Sequence, residues 1–221
     1  MLTVEELKKL TARALSFSKF PDCSVTITST EEAYTRFANN GITMAGFSTR
    51  NAIVIQSTRD GKSGVAQIGE TSGEALQAAV KRSEEMAALS PVNPEHLAPL
   101  GPRQYPRTND YDEATARAQA PEILPRIRAA VKVAEKQKLV AAGLLDRTHS
   151  VTAIANKAGL YGFHRGADAE MSTTIRMPNG SSSGWAGHPA TRIAEIDGAK
   201  LAGIASRKCL AWKNPKRLDP G

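Results

Sequence analysis

Cysteine is scarce in this sequence, since Cys23 and Cys209 are the only two among 221 residues. A chain of this length can bury enough apolar surface to fold without covalent crosslinks. Disulfide bonds form mainly in oxidising compartments, where small domains depend on them. We therefore interpret both residues as free thiols in a reducing compartment and expect a cytoplasmic protein.

Long apolar runs are missing as well. The sequence contains no uninterrupted stretch close to the ~18 apolar residues that a membrane helix needs. The first 20 residues alternate charged side chains with leucine, whereas a signal peptide has a cationic start followed by an apolar run. We therefore expect neither a signal peptide nor a membrane-spanning segment.

Motifs of hydrolytic enzymes are also absent from the sequence. The four histidines are followed by leucine, serine, arginine and proline, so the His-Glu start of a zinc-peptidase helix does not occur. Gly180-Ser-Ser-Ser-Gly184 formally matches the Gly-x-Ser-x-Gly pattern of serine hydrolases, but Gly187 and Pro189 disfavour the helix that this pattern requires. We interpret the segment as a flexible loop and predict no catalytic residue, metal site or cofactor in this chain.

Positive charge is concentrated after residue 100. Residues 1–100 carry 10 Lys and Arg against 11 Asp and Glu, whereas residues 101–221 carry 19 against 11. A basic surface can bind nucleic acid, so a nucleic-acid-binding module is one functional alternative. The basic residues form no run of five, and a solvated face or an interface with another domain is the interpretation that we favour.

The first part of the sequence predicts a helix, a series of strands and a second helix. A capping box that begins at Thr3 predicts a helix to about Ser16. Alternation of apolar and polar residues then predicts strands, with tight turns at 39–41 and 60–61. A helix capped by Ser72 follows. The predicted strands are 23–28, 33–38, 42–48, 52–58 and 64–69.

The later part repeats this order beyond a proline-rich segment, 91–110, which predicts an extended connector. Helices are expected at 122–138 and 195–210. The predicted strands between them are 139–146, 150–156, 159–164 and 170–177. The whole pattern predicts an α+β fold, with antiparallel or mixed β-sheets flanked by helices. Two helix–strands–helix halves, 1–90 and 111–221, are the suggested organisation.

The segment Tyr34-Thr-Arg-Phe-Ala-Asn-Asn-Gly-Ile42 is a strand that runs into a tight turn. From the residues alone, it is a hairpin whose asparagines satisfy the turn backbone. The segment resembles a hairpin in the N-terminal domain of the TldD/PmbA family, which has also been called modulators of DNA gyrase. The resemblance covers nearly all of the chain. It includes the opening helix, the helix at 72–80, Leu89-Ser-Pro-Val-Asn-Pro94, Ala155-Asn-Lys-Ala-Gly159 and the glycine-rich loop before the last helix.

The resemblance implies a cytoplasmic metallopeptidase system that degrades or trims unstructured peptides. In such a system this chain is expected to be the N-terminal, non-catalytic part of a longer protein. Zinc is expected in a C-terminal domain that this sequence does not contain, or in a partner subunit. The closing Arg217-Leu-Asp-Pro-Gly221 is similar to the lead-in to that domain in the PmbA (TldE-like) branch. A homodimer, or a heterodimer with a TldD-type subunit, is therefore expected.

Three functional hypotheses follow. In the first, the domain shapes a substrate chamber and part of a dimer interface, and its exposed strand edges hold an extended peptide by backbone pairing. Arg36 and Asn39 are the expected substrate contacts in this hypothesis. The second hypothesis is a nucleic-acid-binding module, for which no known binding motif is present. The third is a structural or interaction domain without a link to proteolysis.

Overall fold

The computed structural model describes residues 1–106, 108–212 and Asp219. Its elements are α1 Val4–Phe17, β1 Asp22–Ala38, β2 Gly41–Arg59, β3 Lys62–Ile68, α2 Gly73–Leu89, α3 Glu113–Ala116, α4 Ala120–Lys136, β4 Val140–Asn156, β5 Tyr161–Arg176, β6 Ser183–Ala190 and α5 Gly198–Ala211. The strands form one antiparallel sheet in the order β3-β2-β1-β4-β5-β6. The predicted α+β fold, with an antiparallel sheet flanked by helices, is confirmed.

The order helix, three strands, helix occurs twice along the chain. It runs from α1 to α2 and again from α4 to α5, and the first strand of each set is 17 residues long. In both sets the second long strand pairs with the short third strand over its later part only. These pairings join Ile53–Arg59 to β3 and Ala169–Arg176 to β6.

Contacts within the chain define two units, and each long strand contributes to both. Unit 1 is Met1–Glu31, Thr49–Thr108 and Ser150–Gly166; unit 2 is Glu32–Ser48, Asn109–His149 and Ala167–Gly221. This is a different division from the sequence segments 1–90 and 111–221, whose organisation as sub-parts stays a prediction.

The core of unit 1 lies between one face of its strands and the helices α1 and α2. The capping box predicted at Thr3 is present, since the hydroxyl of Thr3 accepts the N–H of Glu6 at 3.3 Å. The fully buried side chains of this core alternate along the strands, as a half-buried sheet requires. On the strands they include Val25, Ile27, Ile53 and Ile55, and the helices add Leu7 of α1 and Leu76 of α2.

Two charged side chains hold the loop between α1 and β1 in unit 1. The carboxylate of Glu84 accepts the hydroxyl of Ser18 at 2.9 Å and the backbone N–H groups of Lys19 and Phe20 at 2.7 and 3.2 Å. The ammonium of Lys157 donates to the carbonyls of Ser18 and Phe20 at 3.0 and 2.8 Å. The helix α2 and the turn between β4 and β5 therefore fix the loop that leads into β1.

The core of unit 2 packs α4 and α5 against its strands. Its buried side chains include Phe37, Ile123, Ile127, Leu145, Met171 and Ile175. The ring of Phe37 lies where a side chain at position 143 would be, since a Cβ added to Gly143 would be 2.6 Å from its Cζ. Glycine at this position lets the end of β1 pack closely on β4.

The structure differs from the predicted elements in two respects. In four places, two strands that were predicted separately form one continuous strand. Polar residues such as Glu31 and Arg50 interrupt the alternation of burial there without ending the backbone pairing. The segment interpreted as a flexible loop ends in β6, so that prediction is wrong for Ser183 and Gly184. Gly184 faces α5 so closely that an added Cβ would lie 2.2 Å from the carbonyl oxygen of Ala205.

Candidate functional site

The turn between β1 and β2 is formed by two asparagines with left-handed backbone conformations. Asn39 and Asn40 have φ angles of 49° and 62°, which asparagine tolerates better than most residues. The side chain of Asn40 accepts the N–H of Ala141 at 2.7 Å and donates to the carbonyl of Leu139 at 3.1 Å. Asn40 therefore has a structural role, because it ties the hairpin to the start of β4.

The two predicted contact residues lie at the same end of this hairpin. Arg36 is exposed on β1, three residues before the turn. Asn39 is exposed in the turn itself, where its Oδ1 accepts a hydrogen bond from Nη2 of Arg176 at 3.1 Å. Two cationic side chains therefore belong to this end of unit 2, and both are suited to carbonyl and carboxylate groups.

The first part of β2 forms an open strand edge. β3 pairs with Ile53–Arg59, and within the described residues no other strand borders Gly41–Ser48 on that side. These eight residues span about 26 Å of extended chain, at ~3.3 Å per residue. The sequence Gly-Ile-Thr-Met-Ala-Gly-Phe-Ser contains no charged residue and no proline, although exposed edges are usually protected by such residues.

Apolar side chains are unusually exposed along this edge. Ile42, Met44 and Phe47 have 48%, 52% and 57% of their surfaces accessible to solvent. The ring of Tyr34 lies against Gly46, where an added Cβ would be 2.4 Å from its Cζ, and its hydroxyl is 3.7 Å from Sδ of Met44. The hairpin therefore presents apolar contact area together with unpaired backbone groups.

A small cavity of about 280 Å³ lies at the base of the hairpin. It is lined by residues 33–35 of β1, residues 45–47 of β2 and the first turn of α4, which contributes Gln119, Ala120 and Ile123. The backbone N–H of Gln119 donates to the carboxylate of Glu122 at 2.9 Å and so fixes the start of the helix. The cavity is therefore formed by ordered secondary structure.

A fully buried arginine lies close to this cavity. Arg147, on β4, has no exposed surface, and its Nε donates to the carbonyl of Ala118 at 3.1 Å. Its guanidinium carbon is 5.8 Å from the centre of the Phe47 ring, a distance at which a cation is attracted to an aromatic face. Arg147 therefore helps to position Phe47 at the cavity.

Unit 2 also contains a cluster of acidic side chains that interact electrostatically. Burial, and then the charges of Glu170, Glu32 and Asp168, raise the pKa of Asp146 to about 6. Burial, with the charge of Glu170, also raises the pKa of Asp168. This cluster therefore has a proton-binding carboxyl close to neutral pH.

No group of three or more His, Cys, Asp or Glu side chains is arranged to hold a metal ion in the described part of the chain. The prediction that zinc belongs to another domain or to a partner subunit stays a prediction. None of the helices within residues 1–106 and 108–212 is long and apolar enough to cross a membrane.

Sequence analysis identified the hairpin but not the cavity beside it. The structure brings Arg36 and Asn39 to one end of the hairpin, as the turn signal predicts. Phe47 could have been singled out as the one aromatic residue of Gly41–Ser48. The contribution of α4 could not, because Ile123 is far from Phe47 in the sequence.

Comparison with known proteins agrees with the resemblance seen in the sequence. Residues 23–87 match the family model of PmbA/TldA metallopeptidase domain 1. The resemblance to a TldD/PmbA N-terminal domain is therefore confirmed. No curated protein matches this chain.

Solved structures share the fold over most of this chain. TldE from Thermococcus kodakarensis is 18% identical, with a TM-score of 0.79, and the match covers 93% of this chain and 47% of that one. A protein described as a modulator of DNA gyrase from Thermotoga maritima is 14% identical, with a TM-score of 0.82 and coverages of 97% and 50%. A second protein so described, from Bacteroides thetaiotaomicron, is 14% identical, with a TM-score of 0.80 and coverages of 99% and 52%. This chain therefore spans about half the length of these relatives.

Proposed function

Because residues 23–87 of this chain match the first domain of PmbA/TldA metallopeptidases, we propose that the chain is a non-catalytic, peptide-holding part of such a system. It acts in the proteolysis of unstructured peptides in the cytoplasm. The observation that carries this proposal is the open edge of β2 at Gly41–Ser48. An extended peptide would add to this edge as a further strand.

Strand addition suits a protein that acts on unstructured peptides. The backbone groups of a peptide are the same at every residue, so pairing with an edge tolerates many sequences. Unstructured segments also have their backbone groups available, whereas a folded substrate has already paired them. Arg36 and Asn39 are the proposed contacts at the turn end of the edge, where a guanidinium and an amide can bind peptide carbonyls or a carboxylate.

The remaining parts of the proposal concern the assembly. The chain contributes to a substrate chamber and to the interface of a homodimer, or of a heterodimer with a TldD-type subunit. Zinc and the catalytic residues belong to a C-terminal domain or to that subunit. A PmbA-type identity is the branch that we propose, from the likeness of residues 217–221 to that branch; of these five residues, only Asp219 is among the described residues.

Fluorescence anisotropy with labelled peptides tests whether the edge binds a peptide backbone. The probe is an eight-residue peptide of alternating threonine and serine with a central leucine, and its matched control carries N-methyl groups at every second residue. N-methylation removes the donors that pair with a strand edge, so the control should bind at least tenfold more weakly. Equal affinity for the two peptides, or no binding of either, would contradict the proposal.

Duplex DNA in the same assay tests the nucleic-acid hypothesis. Binding that falls steeply between 50 and 200 mM salt is the behaviour of a protein that neutralises phosphates. Tight, salt-dependent binding of DNA together with no peptide binding would replace the proposal by that alternative.

A further inference from the structure

The cavity at the base of the hairpin adjoins the open edge of β2, because residues 45–47 belong to both. We infer that this cavity is a subsite that takes one uncharged apolar side chain of the bound peptide. The inference rests on the proposed function. It adds a preference for one kind of side chain to strand addition, which by itself depends only on the peptide backbone.

The lining of the cavity is suited to an apolar group. Phe47 and Ile123 supply hydrocarbon surface, and Ala33, Ala45 and Ala120 leave room between them. The cavity, at about 280 Å³, lies just below the ~300–1,000 Å³ of small-molecule sites. It is therefore large enough for one apolar side chain of a bound peptide.

The geometry of strand addition directs a side chain to this place. Side chains of an added strand alternate between the two faces of the sheet, so every second residue points to one face. A residue paired beside Ala45 or Phe47 lies next to the cavity, on the same edge. The cavity is therefore within reach of a peptide that is already held by its backbone.

The lining of the cavity selects against charged side chains. No acidic residue is among the described residues that line the cavity. A lysine or arginine side chain would therefore lose hydration there without gaining an anionic partner. An aspartate would lose its hydration among alanine and isoleucine side chains.

The spacing along the hairpin predicts where the preferred residue should lie in the peptide. Thr35, at the cavity, and Asn39, in the turn, are four residues apart. Four residues of extended chain span about 13 Å. A peptide whose apolar side chain occupies the cavity therefore needs about four further residues to reach the turn, and shorter peptides should lose the contacts with Arg36 and Asn39.

An extended peptide is the occupant to which we commit, and a second copy of this chain is the competing occupant. The peptide is favoured because the cavity is small and continuous with a row of unpaired backbone groups. A second copy would have to insert a side chain of its own into the cavity and would make the chain dimerise through this edge.

The experiment measures the affinity of the 221-residue chain for three labelled peptides that differ only at the central residue, which is leucine, aspartate or lysine. Burying a leucine side chain should strengthen binding about 10- to 100-fold relative to either charged residue. Equal affinity for the three peptides would overturn the subsite while leaving backbone binding intact. Tighter binding of the aspartate peptide would also overturn it, because the cavity would then be an anion site of Arg147.

Two arginine substitutions on β2 provide a matched pair. Ala45→Arg places a long cationic side chain at the cavity, and Thr43→Arg adds the same charge two residues away, at an exposed position that does not line the cavity. Ala45→Arg should weaken leucine-peptide binding about tenfold or more and abolish the preference for leucine. Thr43→Arg should preserve the preference, and an equal loss in both variants would overturn the inference.

Light scattering tests whether a second copy of this chain, and not a peptide, occupies the cavity. If the chain is a dimer that Ala45→Arg dissociates, and the leucine peptide does not compete with that dimer, the cavity is a self-association site and the inference is wrong. The comparison of the three peptides on the unmodified chain does not depend on the folding of either variant. Failure of every peptide to bind would instead refute the proposed function.

Discussion

Replacing Gly64 by alanine tests how closely β3 and α2 pack in unit 1. An ideal Cβ at Gly64 would lie 2.1 Å from the carbonyl oxygen of Ser83 and 2.4 Å from the backbone nitrogen of Ala87. Ordinary contacts of a Cβ begin near 3.4 Å, so the strand and the helix would have to separate by about 1 Å to accommodate the methyl group. No side-chain rotation can relieve this clash, because both atoms belong to the helix backbone.

The cost of this separation can be worked out from the packing. Overpacking a core typically costs about 1–3 kcal/mol, and moving α2 also loosens Leu76 and Val80, which are fully or almost fully buried. We therefore expect Gly64→Ala to lower the free energy of unfolding by about 3 kcal/mol. In a chain of this length, such a loss lowers Tm by roughly 6–12 °C.

Urea unfolding and a thermal scan, both followed by circular dichroism, measure this loss. Gly41→Ala is the matched control, since the nearest atom to its added Cβ would be the carbonyl oxygen of Ala38 at 3.8 Å. A loss below about 1 kcal/mol for Gly64→Ala, or equal losses for both variants, would refute the close packing. Gly184→Ala repeats the test in unit 2, where the added Cβ would be 2.2 Å from the backbone of α5.

Three further substitutions test single interactions. Asp146→Asn should raise the free energy of unfolding by roughly 1 kcal/mol at pH 8, after allowance for partial solvent screening, and leave it unchanged below pH 4. The folded state raises the pKa of Asp146 to about 6, so the folded protein binds this proton more tightly than the unfolded chain does. The wild type therefore loses the stability that proton binding supplies as pH rises towards and through 6. An equal effect at both pH values in urea unfolding would contradict this reasoning. Glu84→Gln should cost about 1–3 kcal/mol, because an acceptor of three hydrogen bonds is weakened, whereas the exposed Glu85→Gln should cost less than about 0.5 kcal/mol; similar values would refute the role of Glu84. Asn40→Ala should cost about 2 kcal/mol through two lost hydrogen bonds and an unfavourable φ angle, and unchanged thermal unfolding would show that the turn does not need asparagine.

Much of the fold could be predicted because local signals and tertiary structure agree. The capping box at Thr3, the alternation along β1 and the turn at Asn39-Asn40 are each set by residues within a few positions of one another. These signals depend on backbone geometry that any surrounding structure must respect. Apart from β6, the strands and the long helices of both halves are therefore found close to the predicted positions.

The third strand of the second half could not be predicted in the same way. Gly184, Gly187 and Pro189 favour a loop by propensity, yet Ser183–Ala190 is β6. The glycines are explained by neighbours that are distant in sequence or fold back over the strand. Gly184 faces the backbone of α5, and the indole ring of Trp185 lies against Gly187. In the sequence, a glycine that permits close packing of two elements looks the same as a glycine that belongs to a loop. The two can be told apart only when both elements are known.

The cavity could be predicted only in part. Its strand residues lie in the hairpin that sequence analysis singled out, but Gln119, Ala120 and Ile123 reach it through tertiary folding. The burial of Arg147 was likewise not evident, since arginine is rarely fully buried. The alternation of β4 nevertheless places it on the same face as Leu145, which is also fully buried.

The two halves provide an internal comparison that bears on function. In each half the short third strand leaves the first part of the second long strand uncovered. In β5 the connector supplies contacts there, since the N–H of Ala167 donates to the carbonyl of Asp110 at 2.9 Å and the ring of Tyr105 lies against Gly162. Along Gly41–Ser48 of β2, no backbone hydrogen bond from outside the sheet occurs within the described residues.

The repeated order of elements does not explain this difference, because it leaves this part of the second long strand uncovered in both halves and only the connector adds contacts at β5. An open edge without charge or proline promotes association with other chains. The risk of such association is smaller when a partner strand covers the edge while the protein functions. The exposed apolar side chains of Ile42, Met44 and Phe47 lie on this edge, where they add contact area for such a strand. The difference between the halves therefore supports the proposal that β2 is the edge to which a peptide adds.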